Sequence, residues 1–81
     1  MATLILLTTE GCHLCDDAKH IVWSAIDTNV VTLEEQDIAD DPTLLAKYQW
    51  LIPVVTNPQT QRECRWPFGA DDVQQLVSEA Q

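Results

Sequence analysis

Thr3-Leu4-Ile5-Leu6-Leu7-Thr8-Thr9-Glu10-Gly11-Cys12-His13-Leu14-Cys15 is the stretch from which the rest of the chain can be read. Its first five residues are almost continuously apolar, as in a strand covered on both faces. Thr8 to Gly11 make a turn. Apolar residues then recur at Leu14, Ala18, Ile21, Val22, Ala25 and Ile26, which predicts one face of an amphipathic helix. Asp16 and Asp17 fall in its first turn, where the helix dipole favours carboxylates, and Thr28-Asn29 ends it. Cys12 and Cys15 therefore sit where a buried strand hands over to a helix. Their spacing alone fits a small disulfide or a shared metal. The position adds chemistry: a helix start offers unpaired N–H groups and a positive partial charge, which stabilise a thiolate. The thiolate is the attacking species in thiol–disulfide exchange.

Further along, Val30 to Glu35 reads as a second strand with Val31 and Leu33 on one side. Asp40-Asp41-Pro42 starts a short helix, an aspartate cap followed by proline at the first helical position. Leu44, Leu45 and Tyr48 supply its apolar face. Ile52-Pro53-Val54-Val55 opens a third strand, Asn57-Pro58-Gln59-Thr60 is a turn cluster, and Gln61 to Trp66 returns as a fourth strand. Asp71-Asp72-Val73-Gln74 resembles a capping box opening a last helix, with Val73, Leu76 and Val77 facing inward. The element order is βαβ, then α, then ββα. That is the pattern of an α/β, thioredoxin-like domain, with a right-handed crossover expected in its βαβ half.

Composition narrows the setting. The chain has 81 residues, 46% of them hydrophobic, enough for one small domain with a core of its own. Three cysteines cannot all pair within one molecule, and a short secreted scaffold carries an even, denser set, so a reducing compartment is expected. Thr3 to Leu7 is too short for a secretory signal and lacks a basic flank and a cleavage site. No apolar run approaches the roughly 20 residues of a membrane span, so a cytoplasmic location is expected. Four Lys and Arg against thirteen Asp and Glu give a formal net charge of −9. Such a surface repels phosphate backbones and anionic lipid, so neither nucleic acid nor membrane is an expected partner.

Pro53 is the second signal. A proline is tolerated at the first residue of a strand, where its missing donor is not needed. The sequence leaves the Ile52–Pro53 isomer open; in the cis form the Ile52 backbone can face a substrate bound beside Cys12. With C-x-x-C at the first helix and Ile-Pro-Val before a β-hairpin, the chain resembles the glutaredoxin and thioredoxin superfamily. Its shortness, Cys12-His13-Leu14-Cys15, the stretch from Tyr48 to Val55 and Trp66-Pro67-Phe68 are similar to a small glutaredoxin-like family of bacterial proteins. The resemblance spans residues 1–81 as one glutaredoxin-like domain. It implies a central four-stranded mixed sheet flanked by three helices. It also implies that Cys12 attacks, Cys15 resolves and Pro53 shapes the substrate groove. The implied activity is a thiol–disulfide oxidoreductase passing through a mixed disulfide. Its expected partners are a disulfide-containing protein or small thiol substrate and a reductase system, and the chain is expected to act as a monomer.

Several residues depart from the glutathione-using members. Those place a basic residue shortly before the first cysteine, where this chain has Thr8-Thr9-Glu10-Gly11, and favour Pro-Tyr in place of His13-Leu14. Trp50-Leu51-Ile52 stands where they carry a basic residue and a threonine or valine, and their glycine pair survives only as Gly69-Ala70. The resemblance admits glutathione as an electron donor; these departures, and Glu10, Asp16 and Asp17 around the nucleophile, count against it. No bound cofactor is expected.

Ile52, His13 and Trp50 join Pro53 as candidate groove residues. His13 either supports the Cys12 thiolate when protonated or is simply an exposed first-turn residue. Trp50 either lines a substrate groove or covers the short helix. For all three tryptophans, Trp23, Trp50 and Trp66, the core is the default expectation. Cys64 is expected to pack as a small hydrophobe, and Glu34-Glu35 and Asp40-Asp41 to be solvated faces and caps. Two other functions stand beside the redox one. The first is a thioredoxin-fold binding module with non-catalytic cysteines. The second is a metal-binding domain, for which zinc would need four ligands where no second C-x-x-C or H-x-x-x-H exists, so no metal ligand is assigned.

Overall fold

The first strand, β1 (Ala2–Thr8), lies inside a four-stranded sheet, which is why its sequence is apolar almost throughout. The computed structural model describes residues 2–78, so the domain read over residues 1–81 extends past the described residues at both ends. After β1 come α1 (His13–Ala25), β2 (Val31–Asp37), α2 (Pro42–Tyr48), β3 (Val54–Asn57), β4 (Arg62–Arg65) and α3 (Ala70–Ser78). The strand order is β2-β1-β3-β4. β1 and β2 run parallel from Ala2 opposite Val31 to Thr8 opposite Asp37. β1 and β3 are antiparallel with Leu6 opposite Val55, and β3 pairs antiparallel with β4, Val55 opposite Cys64. This is the expected α/β, thioredoxin-like arrangement: a mixed sheet flanked by three helices.

Alternation along the strands builds two cores. Leu4, Leu6, Val31 and Val55 pack with Ala18 and Val22 of α1, Val73 and Leu76 of α3, and Phe68. On the opposite face Leu7 and Val54 pack with Ile38 and Tyr48, flanked by Ile5, Leu44, Leu51 and Ile52. Ile38 belongs to a turn of 3-10 helix (Ile38–Asp40) that sequence patterning did not indicate. Asp37 caps that turn, its carboxylate accepting the Ala39 N–H at 2.9 Å. Asp40 is the last residue of this turn. Asp41 alone caps α2, accepting from Thr43 N–H at 2.9 Å and Leu44 N–H at 3.4 Å, with Pro42 at the first helical turn.

Other expectations shift for identifiable reasons. Leu14 is 49% exposed, Leu45 40% and Trp23 44%, so none of them belongs to a core. Each lies off the stripe that Ala18–Val22 or Leu44–Tyr48 turns inward, and a short amphipathic helix buries only that stripe. The capping box of α3 also moves. Asp72 accepts the Gly69 N–H at 2.9 Å, so Gly69 occupies the cap position and the helix begins at Ala70 rather than at Asp71. Trp66 is half-buried and meets Phe68 edge-on, with ring centroids 5.3 Å apart.

Asn57, read from sequence as a turn residue, closes β3 and is fully buried. Its amide donates to the Leu76 carbonyl at 3.1 Å, and its side-chain oxygen accepts the Gln59 N–H at 3.0 Å. One side chain thus ties the hairpin to α3. Asn57→Ala removes both bonds, leaves the Leu76 carbonyl without its buried partner, and is expected to cost about 1–3 kcal/mol. Equilibrium urea unfolding of the reduced variant against the reduced wild type measures it.

Candidate active site

β1 ends at Thr8, and a tight turn carries the chain to α1. Gly11 adopts φ +81°, a left-handed conformation that a side chain would strain, and the Cys12 N–H reaches back to the Thr9 carbonyl at 3.4 Å. Cys12 is extended and caps α1, its Sγ accepting the Cys15 N–H at 3.2 Å. Cysteine here takes the place of the usual Ser, Thr or Asp oxygen, so the sulfur meets an orphan helix amide. Cys12 is half-buried and Cys15, one turn inside, is 5% exposed. Their Cα atoms are 5.3 Å apart and the sulfurs are joined as a disulfide. His13 and Leu14, between them, face outward.

A cavity of about 460 Å³ opens against this pair. The β1–α1 turn, Cys12, His13, Cys15 and Asp16 line one side, and Glu35 and Asp37 of β2 the other. The parallel register explains the second wall: Asp37 stands opposite Thr8, where β1 turns toward the cysteines. Sequence reasoning missed both residues, taking Glu35 for part of a solvated face and not considering Asp37. The missing signal was the register, which residue order does not carry. Glu35 is also paired with Lys19 of α1 at 3.1 Å. Both partners are nearly half exposed, so the bond contributes about 0–1 kcal/mol.

Of the residues singled out from sequence, Cys12, Cys15 and His13 come together at this cavity. Ile52, Pro53 and Trp50 do not line it. The Ile52–Pro53 bond is cis, as is Trp66–Pro67. Pro53 is buried, and its carbonyl accepts the Trp66 N–H at 3.1 Å. Extending the antiparallel register beyond Leu7–Val54 brings Pro53 opposite Thr8, at the sheet end from which the cysteine turn departs. Ile52 packs toward the α2-side core. Trp50 is 87% exposed, so the expectation that it belongs to the core, or covers α2, is overturned. It sits in the turn after α2, whose chain is held by Leu51 and Ile52 N–H bonds to the Tyr48 carbonyl, with the indole directed to solvent.

Cys64 lies elsewhere. It packs against the core under α3, with its thiol 3.6 Å from the Asp72 carbonyl. Among the described residues no group of three or more His, Cys, Asp or Glu is disposed to hold a metal ion. Nor is any helix among them long and apolar enough to cross a membrane.

The family model described as glutaredoxin-like domain (DUF836) matches residues 3–78. A crystal structure of Northeast Structural Genomics target protein XcR50 from X. campestris is 31% identical, with a TM-score of 0.79 over 96% of this chain and 99% of that one. Its solution structure is 32% identical, with a TM-score of 0.79 over 100% of this chain and 97% of that one. No curated protein matches the chain.

Proposed function

Because this chain belongs to the glutaredoxin-like domain family, we propose that it is a thiol–disulfide oxidoreductase working through Cys12 and Cys15. The observation that carries this reading is the half-buried Cys12 sulfur at the start of α1, bonded to a buried Cys15 and opening on a cavity. In the reduced protein, Cys12 thiolate attacks one sulfur of a substrate disulfide. A Cys12–substrate bond forms, the substrate S–S bond breaks, and the departing thiolate takes a proton from solvent. Cys15 then loses its proton and attacks Cys12 Sγ. The second substrate thiol leaves, and the protein holds the Cys12–Cys15 disulfide. The substrate has gained two electrons and the protein has lost two. An external dithiol or reductase system returns the protein to its dithiol form.

The division of labour follows burial. Cys12 can be reached from outside, whereas Cys15 can reach only Cys12. The Cys15 N–H that faces Cys12 Sγ also supports negative charge there when the thiolate is free. His13 supplies the cavity's imidazole, and the half-buried Ile52, seated on the buried Pro53, shapes the neighbouring surface. Such a dithiol works in a reducing cytoplasm, and one chain contains both cysteines, so a monomer suffices.

Cys15→Ser in a Cys64→Ser background tests the mechanism, because Cys12 is then the sole cysteine. Treated with a small disulfide, it is expected to accumulate a Cys12 mixed disulfide, visible as a stoichiometric mass increase. The wild type passes on to the internal disulfide. A wild-type dithiol that mild oxidant cannot close, or a variant that gains no adduct, overturns the reading in favour of a non-catalytic binding module.

A further inference from the structure

We propose that the disulfide this site accepts is flanked by cationic groups, such as lysine or arginine side chains beside a protein disulfide, and that Glu10, Asp16 and Asp37 select it. This inference rests on the oxidoreductase reading of the same cavity and names its substrate class.

The site itself is the sulfur pair and the space of about 460 Å³ in front of it. What distinguishes that space is the charge of its walls. Four carboxylates line it, from Glu10, Asp16, Glu35 and Asp37. Lys19 neutralises Glu35. The other three make no ion pair among the described residues. Asp37 is held in place by the Ala39 N–H at 2.9 Å, so its charge is oriented rather than free to swing away. Among the described lining residues only the His13 imidazole can become a cation. The surroundings reinforce this sign, since the chain carries −9 in all. A cleft lined by one sign of charge focuses its field on what enters.

These carboxylates work against the redox step taken alone. Negative charge beside Cys12 opposes formation of its thiolate and repels an anionic disulfide. Asp16 has a local role, favoured by the α1 dipole, and Asp37 caps a turn. Glu10 is exposed and has neither role. A substrate with ammonium or guanidinium groups near its sulfurs removes the conflict. It is drawn in, it offsets the carboxylates, and it supports the thiolate as Cys12 attacks. Electrons and atoms balance as in the exchange above: the substrate disulfide is the oxidant, the dithiol the reductant, and an external dithiol restores the protein.

Single-turnover reaction of the reduced protein with three small disulfides tests this: cystamine (cationic), 2-hydroxyethyl disulfide (neutral) and 3,3′-dithiodipropionate (anionic). Each rate is divided by that of dithiothreitol with the same disulfide, which removes intrinsic reactivity. The expected order is cationic, neutral, anionic. The cationic-to-anionic ratio should be about tenfold at low salt, the size of a few water-screened unit charges within a Debye length. It should shrink on adding salt and fall toward one in Glu10→Gln/Asp16→Asn/Asp37→Asn. Asparagine at position 37 keeps an acceptor for Ala39, and a ratio taken within one variant cancels any change in its thiolate population. A low-salt ratio below about threefold, one that salt does not move, or one that the triple variant retains overturns the proposal. The salt series uses the wild type alone and stands even where the variant folds poorly. Failure to reduce 2-hydroxyethyl disulfide at all removes the oxidoreductase reading itself; reduction of all three at one normalised rate removes only the charge preference.

Discussion

Cys12→Ser is expected to lose at least about a thousandfold in disulfide-reductase turnover, because the reaction loses its attacking atom. A serine hydroxyl is not ionised at neutral pH and forms no mixed disulfide. No other sulfur can stand in. Cys15 is 5% exposed inside α1, and Cys64 packs under α3 away from the cavity. The fold should be spared, since serine is a favoured helix cap and its oxygen can accept the Cys15 N–H that Cys12 Sγ now holds. Turnover measured with an external dithiol and a small disulfide, beside urea unfolding of both reduced proteins, separates the two effects. A stable Cys12→Ser protein that keeps full turnover would sink the mechanism.

Leu6→Ala is expected to destabilise the domain by about 2–5 kcal/mol. Leu6 is fully buried on β1, inside the sheet, and packs in the core shared with α1 and α3. Truncation removes its own burial and leaves a void that the flanking strands cannot collapse to fill. For a chain of 81 residues, total stability is on the order of 4–12 kcal/mol, so this one change removes a large part of it. Urea unfolding of the reduced proteins should show a lower midpoint with a similar slope, and an unchanged midpoint would refute the packing assignment. Activity should fall with the folded fraction, because β1 leads directly into the cysteine turn.

Much of the architecture was legible in local signals. The apolar run from Thr3 to Leu7 marked a strand covered on both sides, and both sides are covered. The Asp41-Pro42 helix start and the Asn57–Thr60 turn region were readable because capping and turn chemistry act within a few residues. What local signals could not weigh was the width of each buried stripe. Trp23, Leu14 and Leu45 are apolar, yet each sits on the turn of its helix that faces water. Trp50 illustrates the same point in a loop, where no packed neighbour covers the indole. Asn57 is the reverse case: a residue with the chemistry of a turn is buried because α3 brings the Leu76 carbonyl to it.

The candidate site divides along the same line. That two cysteines meet a helix start after a buried strand was legible locally, because the strand's apolar run, the turn and the helix period are all written in consecutive residues. The acidity of the whole chain was equally legible, being a sum over composition. The order of the two cysteines along the helix likewise predicts Cys12 as the more exposed sulfur and Cys15, one turn inside, as the more buried, and the structure has them so. The wall formed by Glu35 and Asp37, by contrast, comes from the tertiary fold alone. It depends on the parallel pairing of β1 with β2, a contact between residues nearly thirty positions apart. Such pairing is set by which faces can be buried together, so the charges that confront a substrate emerge from packing rather than from any local motif.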